Sequence, residues 1–120
     1  MFARDLHVTL AAASAVALVL AGVEGAVRAL AGQSAGRLAS ATSGLVLVLV
    51  GMTGAGGLAM LVQGERPMEL LHYVYAVLAF GLIPVVDSIT MRLEPRGRGL
   101  ARLAATMVAL VLIARLFATG

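Results

Sequence analysis

Four apolar runs, each long enough to cross a bilayer, leave this chain little choice of architecture. They cover Leu6–Leu30, Ala39–Val62, Met68–Thr90 and Leu100–Ala118, and a helix needs about 20 apolar residues to cross the hydrocarbon. With 61% hydrophobic and 12% charged residues among 120, little is left over for a soluble catalytic domain. The expected fold is an all-α membrane protein, a single domain forming a four-transmembrane-helix up-down bundle. The breaks between runs carry turn chemistry: Gly32, Gln33, Ser34, Gly36 and Arg37, then Gln63 to Pro67, then Arg92 to Gly99 with Pro95. Pro67 suits the first turn of the third helix, whereas Pro84 lies inside it and should kink it. The first run has the outline of a secretory signal peptide, but Asp5 and His7 make its start poorly cationic, so it is expected to be retained.

Several function classes fall away on composition. The absence of cysteine excludes disulfides, thiolate metal sites, iron–sulfur clusters and cysteine nucleophiles. A net charge of +3 without tryptophan, and with 4% aromatic residues, lacks the stacking platforms of a nucleic-acid binder. The nine basic residues are all arginine, and they report on orientation instead. Arg4, Arg66 and Arg115 flank one face, and Arg28, Arg37, Arg92, Arg96, Arg98 and Arg102 the other. The richer side is expected in the cytoplasm, with both termini outside and the loop 92–102 inside. Abundant Ala, Gly, Val and Leu suggest a GC-rich coding sequence, and the expected location is a bacterial plasma membrane. In the second run Gly51, Ala55 and Ala59 fall four apart, beside Gly54, Gly56 and Gly57. That pattern admits a neighbouring helix or a flat ligand close to the backbone. It is no P-loop, because it lies within a span and has no lysine.

Only two histidines are present, His7 and His72, and each stands near the start of a span. In an up-down bundle the first and third helices run parallel, so both imidazoles reach similar depth near the outer face. Two imidazoles from facing helices are what a six-coordinate b-type haem takes as axial ligands. One and two turns below His7 come Ala11 and Ser14, and below His72 come Ala76 and Ala79. Side chains this small leave room for a macrocycle, with Gly54, Gly56 and Gly57 at similar depth. Propionates facing outward would meet Arg4, Arg66 and Arg115. A zinc or copper site would want further ligands, for which Asp5 and Glu69 are the neighbours. The plainer reading makes both histidines interfacial polar residues.

The segments Leu6-His7-Val8-Thr9-Leu10-Ala11, Gly51–Leu61 and Leu71-His72-Tyr73-Val74-Tyr75-Ala76-Val77-Leu78-Ala79 resemble one four-helix half of the haem A synthase type of membrane protein. There a histidine opens one helix, a glycine-rich helix follows, and a second histidine opens the next. The likeness spans Asp5 to Pro84 and implies that His7 and His72 are haem ligands. The synthase type has two such halves and often a cysteine pair; this chain has one half and no cysteine, so the resemblance implies haem binding and not synthase activity. The start of the third run also resembles small four-span bacterial membrane proteins.

Acidic groups in spans are costly and often functional, which singles out Glu24 and Asp87. Glu24 is followed one turn later by Arg28, and Asp87 has Arg92 nearby, so both read first as local ion pairs. As a pair they could instead form a proton or quinone site on the inner side. Four spans and a first-helix glutamate also look like the small multidrug resistance transporters, in which one carboxylate takes protons or a cationic substrate; here no Trp surrounds it. A third reading is a small accessory subunit of a respiratory or photosynthetic complex. No nucleophile–base–acid set is visible, so no catalytic residue is assigned. The expectation is an electron carrier or subunit, holding haem b in the bilayer as a homo-oligomer or within a larger complex, and not a stand-alone enzyme.

Overall fold

The computed structural model of the chain describes residues 2–33, 36–65 and 69–119. Four helices make it up: α1 (Phe2–Ala31), α2 (Arg37–Val62), α3 (Leu71–Ile89) and α4 (Pro95–Thr119). Each is long and apolar enough to cross a membrane. The helices α1 and α4 begin a turn or more before the apolar runs, because Arg4, Asp5 and the stretch Pro95–Gly99 are polar yet still helical. Apolarity marks where hydrocarbon could lie; hydrogen bonding marks the helix. Pro95 opens α4, where its missing N–H has no intrahelical partner to lose. Pro84 lies within α3, which continues to Ile89. The expected place of Pro67 in the third helix lies outside the described residues.

Local chemistry sets the ends. The chain leaves α2 through Gly64 at φ +87, with Gly64 N–H donating to Leu61 O and Glu65 N–H to Met60 O, both at 3.0 Å. This paired closure needs a left-handed residue at its centre, and glycine adopts that backbone without a Cβ clash. At the other end of α2, Gly36 stands at the N-cap with no side chain to cap the first turn.

The helices pack around a ring. α1 lies against both α2 and α4, α3 packs on α4, and α2 meets α3 least. α1 and α3 lie on a diagonal, with none of their Cα atoms within 8 Å of each other. The core is narrow and built of small residues: Ala17, Leu18, Ala21, Val46, Val50, Ala79, Ile83, Ala105, Ala109 and Ile113. Large apolar side chains point outward instead, among them Val62, Val77, Ile89 and Leu38, the inverse of what a water-soluble bundle tolerates.

The closest approach is between α1 and α4. A Cβ added to Gly99 would stand 2.6 Å from Ala29 N and 2.7 Å from Gly25 O, and one added to Gly25 would stand 3.0 Å from Gly99 O. Backbone rests on backbone there. The sequence draws attention to the small residues of α2, but Gly44 and Gly54 on that helix face open space. The glycines that permit tight crossing are Gly25 and Gly99, in helices where alanine is so common that nothing local distinguishes them.

Candidate functional site

His7 lies in the second turn of α1 and His72 is the second residue of α3. The two rings meet across the diagonal, with centroids 6.3 Å apart and planes inclined by 44°. His7 Nδ1 lies 2.9 Å from the carbonyl oxygen of Thr53 on α2. A carbonyl only accepts, so this nitrogen carries the hydrogen and donates it. His72 Nδ1 lies 3.4 Å from Thr119 Oγ1 at the end of α4. That hydroxyl already donates to Arg115 O at 2.9 Å, so it accepts from His72 Nδ1–H. The Thr53 contact sets His7 in the tautomer with its lone pair on Nε2, and the longer Thr119 contact favours the same tautomer in His72. A histidine that ligates a metal through one nitrogen almost always donates from the other in this way.

Two glycines let His7 sit where it does. A Cβ on Gly57 would lie 3.3 Å from His7 Cε1, and one on Gly56 would lie 3.5 Å from Nδ1. The imidazole therefore rests on bare α2 backbone, which brings it within reach of the Thr53 carbonyl. Gly54, expected to pack a haem, is exposed with open space beside it and takes no part in this contact. Of the other small residues expected there, Ser14 and Ala79 are buried, and Ala11 and Ala76 are partly buried. Ser14 Oγ donates to Leu10 O at 2.8 Å and lies 3.2 Å from Thr53 Oγ1, so it ties α1 to α2 below His7. Arg4 and Arg115 are exposed near this end; Arg66 lies outside the described residues. Thr53 and Thr119 carry no sequence signal, because each acts on a residue more than 40 positions away, whereas Gly56 and Gly57 stand in the small-residue pattern of α2 that the sequence displays.

The structure brings the two imidazoles together as a pair. A first-row metal–imidazole bond is about 2 Å and the ring centre lies roughly 1 Å beyond the nitrogen, so imidazoles on opposite sides of one metal have centres about 6 Å apart. The observed separation matches. Among the described residues no group of three or more His, Asp or Glu comes together, so Asp5 and Glu69 do not complete a zinc or copper shell with the histidines.

The opposite end holds a second constellation. Glu24 Oε1 accepts from Arg28 Nε at 3.1 Å and also from Arg28 Nη2, the local pair expected from the sequence. Asp87 departs from expectation. Its partner is Arg102, not Arg92, with Arg102 Nη1 2.9 Å from Oδ2. Arg102, counted among the arginines of a loop, is 2% exposed inside the bundle. Its guanidinium also donates to Ser43 Oγ at 2.7 Å, Thr42 Oγ1 at 2.9 Å and Ala39 O at 3.2 Å. Arg102 Nε lies 3.0 Å from Glu24 Oε2, close enough for charge attraction, though the two are not aligned as a hydrogen bond. One α4 side chain thus binds α1, α2 and α3 together. Two arginines and two carboxylates leave the cluster neutral, the only form in which so many charges are tolerable away from water.

Compared with known protein families, curated proteins and solved structures, the chain matches none.

Proposed function

We propose that this chain is an integral membrane protein, a four-helix up-down bundle that binds one b-type haem through His7 and His72 and serves electron transfer or haem handling. The observation that carries the reading is the histidine pair itself: rings 6.3 Å apart on diagonal helices, with His7 Nδ1 on the Thr53 carbonyl and His72 Nδ1 beside Thr119 Oγ1. The alternation of contacts supports the up-down course. The starts of α1 and α3 meet the late residues Thr53 and Thr119 of α2 and α4, while late α1 and α3 meet early α2 and α4 around Arg102.

In this reading His7 and His72 hold the iron, and Thr53 O and Thr119 Oγ1 fix their tautomers. Ser14, Ala79, Ala11 and Ala76 keep the space below them small-walled and dry. The sparse contact between α2 and α3 leaves that side open to a flat ligand. Arg4 and Arg115, with Arg66, are placed by sequence to pair with propionates. When bound, haem would supply a reversible one-electron couple. In a bacterial plasma membrane, the location the composition suggests, the arginine bias favours both termini outside and the Arg92–Arg102 side in the cytoplasm. A homo-oligomer or a larger membrane complex would cover part of the outward apolar surface, so the accessory-subunit reading is compatible with haem binding. The transporter reading gains no support, because both oxygens of Glu24 already face guanidinium groups and leave no place for a cationic substrate.

The test is the visible absorption spectrum of detergent-purified protein, oxidised and dithionite-reduced, beside His72→Ala and His7→Ala. The expected result is sharp low-spin bands that turn high-spin or vanish in either variant. A colourless protein from cells well supplied with haem, or low-spin bands unchanged in both variants, would refute the assignment.

A further inference from the structure

The turn from α3 into α4 presents arginine and apolar side chains side by side. Ile89, Met91, Leu93 and Leu100 are all half-exposed or more. Between them stand Arg92 and Arg96, both exposed, and Arg98, partly buried. The backbone that carries them is hydrogen-bonded: Leu93 N–H donates to Thr90 O at 2.9 Å and Arg98 N–H to Glu94 O at 3.0 Å. Leu93 Cβ lies 3.5 Å from where Gly97 would carry its own, which folds the turn against the start of α4. Arg96 reaches across to the end of α1, its Nε 3.1 Å from the Cβ position of Gly32. The turn thus lies at the α1 end that precedes Arg37, the exposed first residue of α2.

The net charge of the chain gathers on this surface. Inside the bundle Arg28 and Arg102 balance Glu24 and Asp87, and at the histidine end Arg4, Arg66 and Arg115 are matched in number by Asp5, Glu65 and Glu69. Arg37, Arg92, Arg96 and Arg98 remain, against Glu94, so the whole net charge of +3 lies here. Among the described residues none of these four arginines makes an ion pair. Depth is set by α3. Its 19 residues span about 28 Å at 1.5 Å per residue, close to the roughly 30 Å of hydrocarbon, so the residues that follow stand at the polar edge of a bilayer. Orientation by charge requires only that arginines stay out of the hydrocarbon; it gives no reason for exposed apolar side chains among them. At this depth the nearest apolar medium is the acyl boundary and the nearest anions are lipid headgroups, and a mixed surface meets both at once.

We propose that the turn 90–100, together with Arg37, is an interfacial surface that gathers anionic phospholipids, with its four arginines at headgroup level and Met91 and Leu93 in the acyl boundary. The surface rests on the bilayer part of the reading above and is independent of haem.

The chain has no tryptophan, so Met91→Trp, at a side chain 66% exposed, gives a reporter on the surface, and Leu70→Trp, 82% exposed at the opposite end of α3, gives a control. Each variant is reconstituted in phosphatidylcholine vesicles containing brominated phosphatidylglycerol or brominated phosphatidylcholine. Brominated phosphatidylglycerol should quench Met91→Trp with about fivefold preference, the scale of one arginine at an anionic surface, and should show no preference at Leu70→Trp. Adding Arg92→Gln, Arg96→Gln and Arg98→Gln together should abolish the preference. Arg92→Gln alone, at an exposed side chain, should lower it in part, which covers a triple variant that fails to fold. Equal quenching of Met91→Trp by the two lipids would overturn the proposal, as would the same preference at both reporters or a preference unchanged by the arginine substitutions. Relief by millimolar inorganic phosphate at constant ionic strength would overturn it in favour of a soluble anion, and equal quenching with capture of polyglutamate by the vesicles in favour of an acidic protein. Failed insertion reads differently: neither brominated lipid would then quench either reporter, and the bilayer reading would fall with the surface.

Discussion

Replacing Gly99 by alanine should weaken the bundle more than any other single-methyl change. An added Cβ would stand 2.6 Å from Ala29 N, 2.7 Å from Gly25 O and 3.1 Å from Ala29 Cα. Carbon needs about 3.5 Å from such atoms, so α1 and α4 would have to part by nearly an ångström. All three obstacles are backbone, so no rotamer change relieves them. Overpacking of this kind costs about 1–3 kcal/mol, and parting the helices loosens the seam that carries Gly22 against Thr106 and Gly25 against Leu103. The opposing term is helix propensity, in which alanine gains up to about 1 kcal/mol over glycine. The clash wins, with an expected net loss of about 1–2 kcal/mol. Gly44→Ala is the matched control: nothing lies within 4 Å of its Cβ, so only the favourable propensity term remains. The assay is reversible denaturant unfolding in mild detergent, followed by circular dichroism. If Gly99→Ala unfolds at the same denaturant concentration as Gly44→Ala or higher, the inference of backbone-on-backbone contact between α1 and α4 is wrong.

Arg102→Met should cost about 3 kcal/mol, because it strands the buried Glu24 Oε2 and removes the partner of the one-third exposed Asp87, and adding Glu24→Gln and Asp87→Asn should recover part of that loss in the same unfolding assay. Asp87→Asn alone should cost far less, since the Asp87 side chain is one-third exposed; a loss equal to that of Arg102→Met would place Asp87 deeper than described. Gly57→Val should push His7 off the Thr53 carbonyl, and on the haem reading it lowers the haem-to-protein ratio measured by pyridine haemochrome while helix content is unchanged. Thr119→Val removes the acceptor for His72 Nδ1–H, and on the haem reading it weakens that imidazole as a donor to iron and should raise the haem midpoint potential in a redox titration; an unchanged potential would show that the 3.4 Å contact does not act on the ligand.

The helices were readable because the signal for each is spread over 20 or so residues, and no competing tertiary effect can erase it. The Glu24–Arg28 pair was readable for a related reason: it is local, and one helical turn fixes its geometry. Arg102 was not. Its sequence neighbours Arg96, Arg98 and Gly99 suggest a basic loop, and its carboxylate partners lie on α1 and α3. Whether an arginine near a helix start snorkels outward or turns inward depends on which acids the other helices present at that depth, and a single chain does not declare this. Proximity in sequence pairs Asp87 with Arg92; the arginine one helix over reaches it instead. At the histidine end the residue types were legible, because histidine is rare here, whereas the groups that orient the rings were not. Thr53 contributes only a backbone carbonyl, a group every residue carries.

The two ends of the bundle differ in a way that bears on where a ligand belongs. Around Arg102 almost every donor meets an acceptor within the protein: Nη1 and Nη2 reach Asp87, Ser43, Thr42 and Ala39, and Nε stands against Glu24. Such a cluster is closed; an added ligand would have to break bonds that cost several kcal/mol to lose. At the histidines the protein completes only half of each ring. It engages Nδ1 on both and leaves Nε2 on both without a side-chain hydrogen bond among the described residues, on rings that are partly exposed. Thr53 O and Thr119 Oγ1 orient the rings so that the opposite nitrogen of each is the one open to a partner, whether water or a ligand. On the haem reading, iron in a porphyrin would take one nitrogen from each ring, with ring centres about 6 Å apart.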